Sequence, residues 1–315
     1  MLNVTTAPKT RLRTVAATVA PAAAPAAAPA AAPVKVVADT ALIVGGTSFP
    51  TMSQEMMKGL TNTYADTLVN VPYPAAIKGF FGNFALGDSV AAGADTLVAM
   101  AKDVTASGKK VVLWGISQGA LVVNAAARAL ATDPNRPAHD AITLVRVADP
   151  ATAGTGFLNF LGPILSLWQK VNPSLRKPAE SPFDSIVVVN QYDGFADFPN
   201  KLNPIAALNA IVGLVYRHGQ TATVDLAGVP AKNVTTSVNS LGATTTTYLV
   251  PAKNLPLTQP LRDLGVPAAW VDGLDGFLRP MIEAGYDRPG TTPARASATR
   301  PAATPGRIAQ RKRAA

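Results

Sequence analysis

Cysteine is absent from the 315 residues. With it go disulfide staples, thiol nucleophiles and cysteine-ligated metals, while the redox compartment stays open. Histidine is nearly absent too. The two present, His139 and His218, are too few for the usual histidine-based zinc sets, so neither a metal nor another cofactor is expected. Charged residues make up only 15% of the chain, and no run of about 18 apolar residues is free of breakers, so no transmembrane helix is expected. The hydrophobic share of 48% still suffices for a substantial core at this length.

The net charge of +9 suggests nucleic acid or membrane only until its distribution is read. Residues 1–38 carry Lys9, Arg11, Arg13 and Lys35 with no acid, and residues 291–315 carry five arginines and Lys312 with no acid. The body from Asp39 to Gly290 then holds 18 basic against 19 acidic residues. No nucleic-acid partner is expected from so neutral a body, and the basic tails are left for surface contact with anionic polymer or lipid headgroups. The repeating Pro-Ala-Ala-Ala of Pro21–Pro33 reads as a semi-rigid linker. Lys9–Arg13 and the weakly apolar Thr14–Ala20 that follows imitate an export signal without its hydrophobicity. Three parts are expected: a disordered Pro/Ala-rich segment 1–38, a folded domain 39–290 and a disordered tail 291–315.

Within the body, short apolar runs alternate with helical patterns. Thr40–Val44, Thr67–Val71, Lys110–Trp114, Ala141–Val147 and Ser185–Asn190 read as strands; Gln54–Tyr64, Asp88–Ala106 and Gln118–Ala131 read as helices. The alternation predicts an α/β fold with a mainly parallel sheet covered by helices on both faces. Thr221–Val250, rich in Thr and Val with turns at Gly228–Pro230 and Ser240–Gly242, predicts an extended β-hairpin, and Leu257–Ala284 a helical segment. Residues 151–182 interrupt the pattern with Phe157, Leu158, Phe160, Leu161, Leu165, Leu167 and Trp168, a lid or substrate wall on one reading and packed core on the other.

Gly115-Ile-Ser117-Gln-Gly119 follows the apolar run Val111–Trp114 and precedes the Ala-rich run from Ala120. The pentapeptide alone is weak evidence, but a strand before it and a helix after it are the setting of a nucleophile elbow. The turn exposes the serine hydroxyl and aims the first helical amides at developing negative charge, which makes Ser117 the candidate nucleophile and the Gln118 backbone N–H the candidate oxyanion donor. Gly45-Gly46-Thr47, after the first strand, is placed to give the second donor, through the backbone amide of Thr47, its hydroxyl or both.

Serine catalysis needs a base with a pKa near neutrality. His139 lies in a polar helix-to-strand turn, whereas His218 follows every candidate nucleophile and acid, the chain order of α/β-hydrolases. Three acids are candidates. Asp149 precedes a proline and reads as a turn former. Asp193, three residues beyond Asn190 at a strand end, is preferred, and Asp197 is the alternative acid.

With these residues in place the chain resembles the PE-PPE domain family of mycobacterial serine hydrolases, which are related to cutinases. The resemblance rests on Gly45–Thr47, Gly115–Gly119, Gln191–Pro199, Leu208–Ala210 before Arg217–Gly219, Tyr248–Pro251 and Gly285–Arg288. It implies an α/β-hydrolase fold, esterase or lipase activity on acyl esters, a triad matching Ser117, Asp193 and His218, and a secreted or cell-envelope setting. A Pro-Ala linker stands where that family carries a PE or PPE module. An acyltransferase using the same residues and a non-catalytic envelope-binding protein are the alternatives.

Overall fold

The computed structural model describes residues 36–160, 175 and 180–288. The Pro-Ala segment, the basic tail, and Leu161, Leu165, Leu167 and Trp168 of the greasy insertion lie outside the described residues, and the question of a lid lies there with them.

One sheet of seven strands runs in the order β2-β1-β3-β4-β5-β7-β6. The strands are β1 (Val37–Val44), β2 (Tyr64–Asn70), β3 (Val111–Ile116), β4 (Ile142–Val147), β5 (Asp184–Asn190), β6 (Val234–Val238) and β7 (Thr244–Val250). Every neighbouring pair is parallel except β6 with β7. The helices are α1 (Gln54–Lys58), α2 (Leu86–Ala106), α3 (Gln118–Thr132), α4 (Phe157–Phe160), α5 (Pro204–Tyr216), α6 (Gln259–Asp263) and α7 (Ala268–Glu283). The fold is α/β, a mainly parallel sheet with helices, and β3 passes through a tight turn directly into α3.

The central strands are apolar on both faces because both faces are covered. Leu42, Val44, Leu113 and Leu144 pack with Val90, Leu97, Val122 and Leu130 of α2 and α3. Their alternates Ile43, Trp114, Val145 and Val147 pack on the other side with Met57 of α1 and with Leu226. Period-two alternation thus divides one apolar run between two cores. Trp114, wholly buried, satisfies its indole N–H by donating to the Thr61 carbonyl at 2.8 Å.

Three expectations needed correction. The first helix stops at Lys58 instead of Tyr64, because Thr63 Oγ1 reaches back to the Met57 and Leu60 carbonyls and Asn62 adopts φ 58°. The hairpin is shorter than Thr221–Val250: 3-10 turns occupy Gly219–Thr223, Leu226–Gly228 and Ala231–Asn233. Asp225 caps the second of these through the Ala227 N–H, so strand pairing begins only at Val234. The segment Leu257–Ala284 is broken at Gly265, which takes φ 82° before Val266-Pro267.

Helix α5 had no counterpart in the sequence reading. Asn203 accepts from the Ala206 N–H at 3.1 Å and Pro204 opens the first turn, a normal start. With α7 it closes a small third core of Tyr192, Ala206, Leu255, Ile282 and Tyr286 over the loop that leaves β5.

Candidate active site

Three strand exits at the C-terminal edge of the sheet, those of β1, β3 and β5, build the site together with the turn after α5. At the end of β3, Ser117 takes φ 55° and ψ −118°, a conformation that non-glycine residues rarely adopt and that the packing around it must impose. Its own N–H donates to the Val147 carbonyl at 3.0 Å. A Cβ on Gly115 would stand 2.2 Å from the Gly119 carbonyl oxygen, and one on Gly119 would stand 2.2 Å from that of Val44. The elbow therefore needs glycine at both places. The first turn bond of α3 runs from the Ala120 N–H to Ser117, which leaves the Gln118 amide at the helix start without an intrahelical acceptor.

After β1, Gly45-Gly46-Thr47 lies against the elbow, with Gly46 packed beside the Ser117 side chain. Tyr73 donates its phenol to the Gly45 carbonyl at 2.6 Å. Burial pushes the Tyr73 hydroxyl above its ordinary pKa, so it stays a donor. The Thr47 hydroxyl donates to Gln118 Oε1 at 2.9 Å, and Gln118 Nε2 donates to the Ala76 carbonyl and to Ser89 Oγ. A hydroxyl has one hydrogen. Since that of Thr47 is given to Gln118, what Thr47 offers an incoming anion is its backbone amide, which has no hydrogen-bond acceptor among the described residues.

Beyond β5, Asp193 is fully buried and accepts the Phe195 N–H at 2.9 Å. His218, just past α5, places Nδ1 2.9 Å from both Asp193 carboxylate oxygens and Nε2 2.8 Å from Ser117 Oγ. An ionised carboxylate can only accept, so Nδ1 carries the proton and Nε2 is left to accept from the serine. Asn190 Nδ2 holds the neighbouring Arg217 carbonyl at 2.8 Å, and the Phe195 ring stands edge-on to the imidazole with centroids 4.8 Å apart.

Asp197, four residues on, has different partners. Arg288 Nε and Nη2 donate to it at 2.9 and 2.7 Å, and the Tyr192 N–H donates at 2.7 Å. Asp149 accepts from Asn124 and from the Ala151 N–H, a turn-forming role, and burial raises its pKa. His139 is exposed at the start of β4, at the opposite end of the sheet from Ser117, because β3 and β4 are parallel and pair Ile116 with Val147. Among the described residues no group of His, Asp or Glu is arranged to hold a metal ion, and no helix is long and apolar enough to cross a membrane.

An apolar cleft of about 1040 Å³ opens beside Ser117 and His218. Met52, Met56, Leu121, Phe157, Leu158 and Phe195 are among the residues that line it. Phe157 and Leu158 thus serve the cleft, while Phe160 is largely exposed and packs on Phe198. Sequence reasoning missed Tyr73 and Arg288. Tyr73 stood between Pro72 and Pro74 with nothing to mark its partner, and Arg288 stood in a landmark without a role.

The chain is 35% identical over 284 residues to SL1278 acyltransferase Chp1 of Mycobacterium tuberculosis, covering 82% of this chain and 66% of that protein. It is 39% identical over 180 residues to diacyltrehalose acyltransferase Chp2 (55% and 50% covered) and 34% identical over 264 residues to esterase PE16 (80% and 49% covered), both of the same organism. It thus spans about half to two thirds of the length of these curated relatives. Among solved structures, a cutinase-like protein from Cryptococcus sp. aligns at 18% identity and TM-score 0.33, covering 50% of this chain and 78% of that one. The catalytic core of acetyl xylan esterase from Trichoderma reesei aligns at 17% and 0.35, covering 59% and 96%. The model of the PE-PPE domain matches residues 64–287, and the chain belongs to the PE-PPE domain family.

Proposed function

We propose that the chain is a serine esterase that hydrolyses acyl esters through an acyl-enzyme, with Ser117 as nucleophile, His218 as general base and Asp193 as its orienting acid. The observation that carries this reading is the hydrogen-bonded series Ser117 Oγ, His218 Nε2, His218 Nδ1 and Asp193, at 2.8 and 2.9 Å, opening on an apolar cleft. His218 takes the Ser117 proton as Oγ adds to the ester carbonyl. The oxyanion is held by the backbone amides of Gln118 and Thr47, preorganised donors that cost no rearrangement in the step. Collapse expels the alcohol, which leaves with the proton from His218. Water then attacks the acyl-enzyme, with His218 again as base, and releases the acid and Ser117. The cleft walls suit an acyl chain, each buried methylene contributing about 0.8 kcal/mol.

A second reading is favoured by the two relatives named as acyltransferases: the same acyl-enzyme, with an alcohol or sugar hydroxyl in place of water. The first step is common to both. Cleavage of a p-nitrophenyl ester with and without trehalose or an acylated trehalose, with the products analysed, separates them. Free acid alone supports hydrolysis, and transfer product outrunning free acid supports the acyltransferase. No Ser117-dependent p-nitrophenol release in either arm would remove both.

A further inference from the structure

We propose that Arg288, acting through Asp197, is a positioning residue that sets the geometry of Asp193 against His218. The inference rests on the reading of Ser117, His218 and Asp193 as a catalytic triad and adds a device that no motif in the nucleophile or base segments contains.

The loop from Gln191 to Asp197 must present one carboxylate to the imidazole while its backbone turns sharply. Tyr192 takes φ 67°, a left-handed conformation that costs energy for a bulky residue. Its N–H is held by Asp197 at 2.7 Å, and the Asp197 N–H in turn donates to the Asp193 carbonyl at 2.7 Å. Asp197 thus braces the backbone on both sides of Asp193. Arg288 fixes Asp197, with Nε and Nη2 meeting its two oxygens as a planar fork, and a fork constrains orientation as well as distance.

The same arginine continues the network. Nη1 donates to Glu283 at 2.7 Å, and Glu283 accepts from Gln191 Nε2 at 2.8 Å and from the Tyr192 hydroxyl. The guanidinium also lies 3.8 Å from the Tyr286 ring centroid. The end of α7 and the residues after it therefore grip Gln191, Tyr192 and Asp197 around the triad acid. Burial works against the Arg288 charge, but Asp197 and Glu283 outweigh it and push its pKa up, so the fork stays charged.

Stability alone is a poor reason for this arrangement. Two desolvated charges at 6% and 1% side-chain exposure are often matched or bettered by an apolar pair of similar volume. An apolar pair, however, brings no acceptor for the Tyr192 N–H and no fork to set its direction. The arrangement suits a loop whose carboxylate must be held within a fraction of an ångström of the imidazole.

The test uses the full chain and p-nitrophenyl butyrate, with thermal midpoints measured in parallel. Arg288→Lys keeps the charge and loses the fork, and Glu283→Gln loosens Arg288 from a partly exposed position. With Arg288→Lys, kcat is expected to fall about 10- to 100-fold with KM within about two-fold of wild type. The acid limb of the pH profile moves to lower pH, since a misaligned Asp193 supports the imidazolium less; Glu283→Gln moves both readouts the same way by less. Wild-type kcat and acid limb in both variants, with only the midpoint lowered, would overturn the proposal. If Arg288→Lys does not fold, the triple Asp197→Leu/Glu283→Gln/Arg288→Met variant, which removes both carboxylates paired with the guanidinium, decides in the same manner. The triad reading fails separately, if cleavage by the wild-type chain does not depend on Ser117.

Discussion

The Thr47 hydroxyl donates to Gln118 Oε1 at 2.9 Å across 71 residues, which ties the loop after β1 to the first residue of α3. The hydroxyl is thereby an anchor for the loop that carries the proposed second oxyanion donor. Thr47→Val should lower kcat on p-nitrophenyl butyrate by no more than about ten-fold, whereas losing an oxyanion donor costs about 10²- to 10³-fold. A loss in the higher range would mean that the hydroxyl itself reaches the oxyanion.

Gly119 leaves no room for a side chain, since a Cβ there would stand 2.2 Å from the Val44 carbonyl oxygen. Gly119→Ala should therefore displace β1 from the elbow and cost at least about 1–3 kcal/mol. Urea denaturation followed by circular dichroism measures this directly. A midpoint like that of wild type would show that the elbow has slack the contacts deny.

Tyr73 gives a pH signature with a definite sign. Its buried hydroxyl has a pKa raised by desolvation, so the folded chain keeps a proton that the unfolded chain releases near pH 10. The associated stability is present below that pH and is lost as pH rises beyond it. Tyr73→Phe removes the bond to the Gly45 carbonyl and should lower stability at pH 7 by about 1–3 kcal/mol. It should also flatten the decline above pH 10. An unchanged alkaline slope in the variant would contradict the assignment.

Met56, about half exposed on α1, lines the cleft and can be altered without disturbing the core. Met56→Glu sets a charge in the path of a long acyl chain. The ratio of kcat/KM for a p-nitrophenyl palmitate over the butyrate should fall about ten-fold, the worth of two buried methylenes. A ratio unchanged from wild type would place the acyl chain elsewhere.

The parts of the fold that could be read early share a reason. Val111–Trp114, Gly115, Gly119 and the Ala-rich run behind them state strand, tight turn and helix in one continuous stretch, so β3 and α3 emerged within two residues of their observed ends. Helix α5 did not, because Ile205 to Val215 is apolar at nearly every position and offers no polar face to reveal a period of 3.6. The acid posed a different difficulty. Asp193 and Asp197 stand four residues apart in one loop, and what separates them is tertiary: His218 contacts the first, and Arg288, 91 residues later, grips the second. Local sequence holds no trace of either partner.

Isosteric change at the acid tests the orienting role. Asp193→Asn keeps the side-chain shape but turns an acceptor into a donor toward His218 Nδ1, favouring the wrong tautomer. In serine proteases the corresponding change costs about 10⁴-fold in kcat, and a loss of that order is expected here. A loss under about ten-fold would reassign Asp193 to loop structure.

The most direct measurement is fluorophosphonate labelling of the folded chain, with mass spectrometry to locate the adduct, set beside p-nitrophenyl butyrate cleavage by wild type and Ser117→Ala. The account predicts one adduct, on Ser117, and loss of both labelling and cleavage in a Ser117→Ala chain that melts like wild type. An adduct on another residue, or cleavage that survives in that variant, would contradict it.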